Sequence, residues 1–312
     1  MQMIRPWASE YDEYRRDESR STGEAESISF PTCEDELRSI LSELDPATPI
    51  TVQGARTGLA GGAVPHGGHV VSLVRMNAYK GLRRAADGAF FLRVEPGVVL
   101  SELRRHLHAK SLPAHGWDDA SRAALEALYA SPEQFFPTDP TETSACLGGM
   151  AACNASGARS YRYGPMRPHV SGLRVVLVSG ETLALRRGDV CAQGRALELV
   201  TEQGTTMRME LPTYDMPSAK NASGYFIADD MDAVDLFIGS DGTLGIITEL
   251  ELALMPAPQV TWGVNCFFED EGQALDFVVR VRPRARLARA RLSISTGAAL
   301  DILRTTREDG AA

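Results

Sequence analysis

A stretch of small residues from 136 to 164 carries the residue types that could hold a flat ligand. It reads FPTDPTETSACLGGMAACNASGARSYRYG, and few of its side chains are bulky. Pro137 and Pro140 fix φ and stiffen its opening turn. The amides of the pair Gly148–Gly149 can approach a planar ring, and Asn154 can donate and accept hydrogen bonds at once. The pattern predicts a site for a planar molecule, with a small-residue helix packed tightly against a sheet as the alternative.

Two glycine-rich segments lie on either side of this stretch along the chain. Residues 54–68, GARTGLAGGAVPHGG, follow a short strand-like run, and such a loop lets successive backbone N–H groups converge on a phosphate. Its spacing matches neither GxGxxG nor a Walker loop, since no Lys-Ser/Thr pair follows the glycines. Residues 239–245, GSDGTLG, precede a β-rich run. The alternatives are a plain glycine-rich turn for the first segment and a tight turn before a strand for the second.

Hydrophobic periodicity predicts a chain that mixes helices and strands. Residues 186–203 are expected to be irregular or weakly helical, and residues 209–224 are expected to form a loop. Helices are expected at residues 33–44, 100–107, 272–281 and from 298 to 303. Strands are expected at residues 27–30, 50–53, 69–73, 90–95, 175–178, 182–186, 246–254, 260–268 and 288–295.

Composition narrows the function classes. The 312 residues carry 32 basic and 41 acidic side chains, which gives a formal net charge of −9. An acidic chain without basic clusters is poorly suited to bind nucleic acid or an anionic membrane surface. The polar N-terminus and the lack of a long apolar run predict a cytoplasmic protein. Attachment to the inner face of a membrane is the alternative.

Cysteine and histidine spacing predicts no metal site. The five cysteines are scattered without a CxxC pair, which favours neither a disulfide framework nor a zinc site. His106 and His108 lie two residues apart on one predicted helix, so their side chains do not share a face.

Four segments of the chain together resemble one protein family. They read GARTGLAGGAVP, FPTDPTETSACLGGMAACNASG, RYGPMRPHVSGLRVVL and IGSDGTLGIITEL. In this order they resemble the FAD-binding domain of the vanillyl-alcohol oxidase/p-cresol methylhydroxylase (PCMH) superfamily. The nearest branch holds D-lactate dehydrogenases, D-2-hydroxyglutarate dehydrogenases and glycolate oxidase flavin subunits. The resemblance covers residues 17–256. It implies an α+β fold, with a two-subdomain PCMH-type FAD-binding domain over residues 1–258 and the start of a truncated α+β cap over residues 259–312.

The resemblance also implies contacts with FAD. Backbone amides that hold the phosphates are expected at Gly54, Ala55, Arg56, Thr57, Gly58, Gly61 and Gly62. The lining of the isoalloxazine and ribityl chain is expected to comprise Pro137, Asp139, Thr141, Ser144, Gly148, Gly149, Asn154 and Gly157. The backbone of Gly245, Ile246 and Ile247 is expected to contact the adenine and ribose side of FAD. Some relatives attach the flavin through a histidine where Thr57 stands here, so non-covalent FAD is expected. The Arg56 side chain is expected beside a phosphate or in solvent.

The implied reaction is the oxidation of a D-2-hydroxy acid such as lactate, glycolate or 2-hydroxyglutarate, with hydride transfer to flavin N5. A redox protein or a quinone would then accept the electrons. Lys220, Asn221 and Tyr225 in KNASGY resemble the element on the substrate side of the flavin, and a solvated loop lysine is the alternative for Lys220. The alternative function is an FAD-binding subunit or truncated product that needs a partner subunit or a complete cap. A cell-wall nucleotide-sugar reductase is a third candidate, which the DPTxT…LGG and RYG patterns disfavour.

Overall fold

The computed structural model describes residues 3–217, 222, 224–260 and 266–281, and it contains both helices and strands. The strands are β1 (Arg5–Pro6), β2 (Ser27–Ser29), β3 (Ile50–Gln53), β4 (His69–Ser72), β5 (Tyr79–Arg84), β6 (Phe90–Val94), β7 (Gln134–Phe135), β8 (Val170–Val176), β9 (Thr182–Arg186), β10 (Ala196–Val200), β11 (Thr206–Glu210), β12 (Ile246–Ala253) and β13 (Met255–Pro256). The α-helices are α1 (Glu34–Glu43), α2 (Leu100–His108), α3 (Asp119–Ala130), α4 (Leu147–Ala152), α5 (Ser160–Tyr163), α6 (Ala233–Phe237) and α7 (Glu271–Val281). Two 3₁₀-helices span Ser9–Arg15 and Arg167–His169.

The first four strands form one sheet in the order β1-β2-β4-β3. Strand β4 runs parallel to both β2 and β3, and β1 pairs antiparallel with β2. Successive residues of a strand face opposite sides of a sheet. Val70 therefore packs with Ile28 on one face, whereas Val71 packs with Leu37 of α1 on the other. Strand β3 lies at the sheet edge, and the glycine-rich loop 54–68 leaves its C-terminal end.

A second sheet has five antiparallel strands in the order β5-β6-β12-β8-β9. Along its central strand β12, Leu250 and Leu252 are buried in the main core. Glu251 alternates with them and forms two hydrogen bonds with Arg83, at 3.0 and 3.1 Å. Helices α2, α3, α4 and α6 contribute buried side chains to the same core, among them Leu103, Leu128, Met150 and Val234.

Helix α1 joins the two sheets. Its apolar residues recur at helical spacing, and Leu37 and Leu41 are buried in a cluster that includes Val176 of β8 and Ile246 of β12. The Arg38 Nε–H also donates to the Gly180 carbonyl in the β8–β9 turn, at 2.9 Å. One amphipathic helix of the first sheet is therefore packed against the second sheet.

A carboxylate at the start of α1 reinforces this junction. Glu34 accepts hydrogen bonds from Arg174 Nε and Nη2 at 3.1 and 2.9 Å, and from Thr248 Oγ1 at 2.7 Å. Burial opposes ionisation of the carboxyl group, but the hydrogen bonds from Arg174 and Thr248 outweigh it and lower the pKa of Glu34. Arg174 also pairs with Glu202 at 2.8 Å, so one guanidinium serves two carboxylates.

Most of the predicted elements are confirmed within one to five residues at their ends. The expectation of irregular or weakly helical structure at 186–203 is wrong, because β10 pairs there with β11. The expected loop at 209–224 begins inside β11, and β5 and α3 were not predicted. α7 confirms the helix expected at 272–281. Of the expected strand 260–268, residues 260 and 266–268 are not in a strand, and 261–265 lie outside the described residues. The elements expected at 288–295 and 298–303 also lie outside them.

Replacing Glu34 tests the junction between the sheets. Glu34→Gln should lower the free energy of unfolding at pH 7 by about 1–3 kcal/mol, the usual contribution of a hydrogen bond to a charged group. Since the pKa of Glu34 is lower in the folded state, its stabilisation is present above the unfolded-state pKa and is lost as pH falls through the folded-state pKa. Urea unfolding should show that the difference in the free energy of unfolding between wild type and variant shrinks from pH 7 to pH 3.

Asp35→Asn is the matched control, because the Asp35 carboxylate on the same turn forms no hydrogen bond or ion pair with any described residue. Equal effects of the two substitutions at pH 7, or a difference in the free energy of unfolding that is as large at pH 3 as at pH 7, would contradict the assignment.

Candidate functional site

The three glycine-containing segments converge on one surface. A Cβ placed on Gly54 would lie 3.1 Å from the Cys146 Cβ, so the first loop contacts the start of α4. A Cβ on Gly62 would lie 2.3 Å from an Asp241 carboxylate oxygen, so the same loop also contacts the GSDGTLG turn. The Asp241 N–H in turn donates to the Ala152 carbonyl at the end of α4, at 2.8 Å. The loop after β3, helix α4 and the turn before β12 therefore form a continuous surface.

The amides of the first loop are largely free for a ligand, except that the Ala55 N–H hydrogen-bonds the Cys146 thiol. Within the described part of the chain, no backbone N–H from Gly54 to Gly62 forms a hydrogen bond with a protein oxygen. Gln53 supports the base of this loop, because its buried Nε2 donates to the carbonyls of Tyr14 (2.7 Å) and Ala63 (2.6 Å). Sequence reasoning missed Gln53, although a glutamine that ends an otherwise apolar strand is the signal that could have found it.

The Arg56 side chain is bound by the N-terminal segment and does not extend into solvent. Its guanidinium stacks over the Tyr14 ring at 4.2 Å and pairs with Glu13 at 3.0 Å. Its backbone lies in the left-handed region (φ +58°), and its carbonyl accepts from the Glu18 N–H at 3.2 Å. Arg56 thus ties the loop to the N-terminal segment through both its side chain and its backbone.

The two glycines of α4 have different surroundings. A Cβ on Gly148 would lie 2.3 Å from the Pro96 Cβ, and the Gly148 N–H donates to the Pro96 carbonyl at 2.9 Å. Gly149 is exposed, and a Cβ there would meet no described atom within 4 Å. The alternative of a tightly packed small-residue helix thus describes Gly148. The face of Gly149 is open to a ligand.

The turn Asp139-Pro140-Thr141 is bound by arginines that sequence reasoning did not identify. Asp139 accepts from Arg104 Nη2 at 2.6 Å and pairs with Arg159 Nε at 3.3 Å. A Cβ on Gly157 would lie 1.6 Å from the Asp139 carbonyl oxygen, so glycine is required for this close approach. The Asp139 carboxylate is therefore committed to protein partners. Of the other expected lining residues, Pro137 is buried, whereas Thr141 and Ser144 are exposed.

Two turns with left-handed backbone meet beside α4. Asn154 has φ +48°, and its Oδ1 accepts from the Arg167 N–H at 3.0 Å. Gly239 has φ +87°, and its N–H donates to the Ala151 carbonyl at 3.0 Å. Gly239 is also closely packed, because a Cβ there would lie 3.4 Å from both the Asn154 Cβ and Arg167 Nη2.

The start of β12 can offer a ligand its backbone but little of its side chains. The Ile246 and Ile247 side chains are buried in two different apolar clusters, in keeping with strand alternation. Gly245 has φ +154°, and a Cβ there would lie 2.6 Å from the Val175 Cγ1.

The expected substrate-side element is described in part. Lys220 and Asn221 lie outside the described residues. The Tyr225 hydroxyl lies 2.7 Å from Thr243 Oγ1, which itself donates to the Ser240 carbonyl at 2.6 Å. Because the single Thr243 hydroxyl proton is used in that bond, Tyr225 is the donor to Thr243. Tyr225 is thereby fastened to the GSDGTLG turn.

Comparison with known proteins assigns the family. A family model described as an FAD binding domain matches residues 25–122 and 120–186. The chain belongs to this FAD-binding domain family. FAD is the cofactor, and the surface formed by the three segments is its candidate site.

Three curated relatives are similar over much of this chain. A D-lactate dehydrogenase of Anaerostipes hadrus is 34% identical over 68% of this chain and 32% of its own length. The glycolate oxidase subunit GlcD of Bacillus subtilis is 27% identical over 78% of this chain and 40% of its own length. A D-2-hydroxyglutarate dehydrogenase of Xanthomonas citri pv. viticola is 30% identical over 80% of this chain and 41% of its own length. The alignments thus span about two fifths or less of each relative.

The hydrogen-bond donors and the open surface at the candidate site are suited to FAD. The diphosphate of FAD needs hydrogen-bond donors, and the unpaired amides from Arg56 to Gly62 belong to a loop of the kind that binds phosphates. A flavin ring needs a flat, uncrowded surface, and the exposed Gly149 face of α4 provides one. The described residues contain no cluster of three or more His, Cys, Asp or Glu side chains that could hold a metal ion.

Two carboxylates also border the glycine-rich loop after β3. Asp17 is buried, and its Oδ2 has no hydrogen-bond partner among the described residues. This oxygen would lie 4.0 Å from a Cβ on Gly58. Burial, together with the Asp17 carboxylate, raises the pKa of Asp241. A bound diphosphate would add further negative charge, so Asp241 opposes FAD binding when it is ionised.

A paired substitution in α4 tests the different roles of its glycines. Gly149→Ala should leave the free energy of unfolding unchanged or raise it, because alanine favours helix and meets no neighbour. It should weaken FAD binding about tenfold or more, roughly 1.4 kcal/mol, because the added methyl occupies the open face. Gly148→Ala should instead lower the free energy of unfolding by about 1–3 kcal/mol through its clash with Pro96. Urea unfolding and FAD titration followed by flavin fluorescence measure both quantities. Unaltered FAD affinity in Gly149→Ala would refute the proposed open face.

Replacing Asp241 tests the electrostatics of the loop. Asp241→Asn should tighten FAD binding at pH 7 about fivefold, since roughly 1 kcal/mol of repulsion is removed at a water-like dielectric. For wild type, FAD affinity should rise as pH falls toward the raised pKa of Asp241, and the variant should lose most of this dependence. Asp230→Asn, at another left-handed position outside the site (φ +53°), is the control. Equal pH profiles for wild type and Asp241→Asn would show that Asp241 does not act on the phosphates.

Proposed function

We propose that this chain is the PCMH-type FAD-binding part of an oxidoreductase that oxidises a D-2-hydroxy acid of the lactate, glycolate or 2-hydroxyglutarate class. The observation that carries the proposal is the convergence of the unpaired loop amides, the open Gly149 face and the Tyr225–Thr243 contact on one surface. The names of the three relatives support the substrate class. In this proposal the four-stranded and five-stranded sheets are the two subdomains, and the cap domain begins after residue 258.

In this assignment the chain's residues bind and orient the reactants. The loop amides from Gly54 to Gly62 hold the diphosphate, and Gly149 and Asn154 line the flavin. Thr57 stands where some relatives carry a linking histidine, so the cofactor is held non-covalently. When bound, FAD supplies the electron-accepting chemistry at flavin N5. The protein contributes position and electrostatics.

The substrate side is assigned to the KNASGY element. Its tyrosine donates a hydrogen bond to Thr243 of the GSDGTLG turn, and this contact supports the assignment. Lys220, Asn221 and Tyr225 are the proposed substrate-side residues. The proton acceptor for the substrate hydroxyl is assigned to no residue, and a redox protein or quinone is the proposed electron acceptor.

A second candidate is an FAD-binding subunit without independent catalysis. The supporting observation is the length of the relatives, of which the alignments span 32–41%. The remaining two thirds or so of those proteins would supply a complete cap. In this case the chain binds FAD and needs a partner or a full-length context for substrate turnover.

Anaerobic reduction of the FAD-loaded chain distinguishes the two candidates. D-lactate, glycolate and D-2-hydroxyglutarate should be added separately, with L-lactate as the stereochemical control. Bleaching of the flavin absorbance by at least one of the first three, and not by L-lactate, is expected for the enzyme. Stable FAD binding without bleaching would favour the binding subunit. A chain that takes up no FAD would contradict both candidates.

A further inference from the structure

Arg167 is a largely but not fully buried arginine in the short 3₁₀-helix Arg167–His169, and the proposed function gives it no role. Its guanidinium donates to the carbonyls of Asp235 and Ile238, both at 2.5 Å. It also stacks over the Phe226 ring, with the guanidinium carbon 4.3 Å from the ring centroid. Its backbone N–H donates to Asn154 Oδ1 at 3.0 Å. The side chain is 11% exposed, so these contacts take up nearly all of its surface.

The partners of Arg167 belong to three segments of the candidate FAD site. Asn154 forms the left-handed turn after α4. Ile238 immediately precedes Gly239 and the GSDGTLG turn. Phe226 follows Tyr225, the described end of the KNASGY element. These segments are far apart in the sequence, and one residue contacts all three: the Arg167 backbone N–H binds Asn154, and the guanidinium contacts Ile238 and Phe226.

The geometry leaves little freedom between Arg167 and the turns that it contacts. Gly239 lies between the guanidinium and the Asn154 side chain, and a Cβ on it would lie 3.4 Å from each. A guanidinium is planar and presents its N–H groups in a fixed fork. When Nη1 and Nη2 each bind a carbonyl, the spacing and direction of those carbonyls are set together.

We infer that Arg167 is a positioning residue whose guanidinium sets the placement of Gly239 and the GSDGTLG turn against the flavin, and thereby the affinity for FAD. The bond from its backbone N–H to Asn154 does not depend on the side chain. This inference rests on the assignment of the surface as the FAD site. Without the guanidinium, the Ile238 carbonyl loses its donor and the GSDGTLG turn can shift relative to α4. A lysine at this position has one compact ammonium group, which cannot reproduce the fork.

Arg187 provides a matched control. It forms two hydrogen bonds with the same Asp235 side chain, at 2.9 and 3.0 Å, and is also partly buried. Its other hydrogen bonds are to the carbonyls of Val170 and Arg167, at 3.1 and 3.2 Å. Within the described residues it forms no hydrogen bond with Asn154 or Ile238. Replacing it removes a comparable ion pair and leaves the proposed fork in place.

The test compares Arg167→Ala, Arg167→Lys and Arg187→Ala in the full chain. Free energies of unfolding come from urea titration, and FAD dissociation constants come from flavin fluorescence under conditions where each variant is folded. We expect both Arg167 variants to weaken FAD binding at least tenfold. Arg187→Ala should change the dissociation constant less than twofold, even if it is equally destabilised. Millimolar guanidinium should restore much of the FAD affinity of Arg167→Ala, and equimolar sodium chloride should not.

Several outcomes would overturn the inference. The inference fails if Arg167→Ala binds FAD with an affinity within twofold of wild type. If Arg167→Ala does not fold, the same result in Arg167→Lys overturns the inference. An equal loss of FAD affinity in Arg187→Ala also overturns it. If wild type binds FAD and these results are found, the positioning role fails while the FAD site stands. If wild type binds no FAD, the proposed function fails as well.

Discussion

The candidate site depends on backbone hydrogen bonds between the end of α4 and the GSDGTLG turn. Gly239 and Asp241 donate to the carbonyls of Ala151 and Ala152, at 3.0 and 2.8 Å. The last carbonyls of a helix have no partner within the helix. Here a second segment satisfies two of them, so the turn is positioned by the same helix that exposes Gly149. The glycine-rich loop after β3 then contacts this unit through Gly62 and Asp241.

Glycine serves two different purposes at this surface. At Gly148 and Gly157 it allows close protein packing, against Pro96 and the Asp139 carbonyl. At Gly149 it leaves a helix face uncovered. A run of small residues therefore reflects both internal packing and ligand access, and the interpretation of the whole stretch as ligand-facing is too simple. The distinction depends on the neighbours of each residue.

Charge is distributed unevenly around the site. Arginines stabilise its framework, since Arg104 and Arg159 hold Asp139, Arg167 holds the carbonyl before Gly239, and Arg56 is bound to Glu13 and Tyr14. The carboxylates of Asp17 and Asp241, by contrast, face the glycine-rich loop after β3, which is the proposed phosphate site. The phosphates of FAD would therefore be held chiefly by backbone amides. This arrangement agrees with a loop composed largely of glycine and other small residues.

The sequence by itself determined the mixed helix and strand content, the three glycine-containing segments and, through their order, the FAD family. These features follow from local rules: hydrophobic periodicity predicts α1 and β12, and glycine clusters mark loops with unusual backbone. It did not identify β10, whose short alternating pattern is stabilised by pairing with β11. Only the tertiary structure decided that Gly148 packs while Gly149 is open, that Asp139 is held by two arginines, and that Arg167 joins three segments. Such contacts join residues distant in sequence, and their geometry depends on how the sheets and helices pack, which no local pattern of residues encodes.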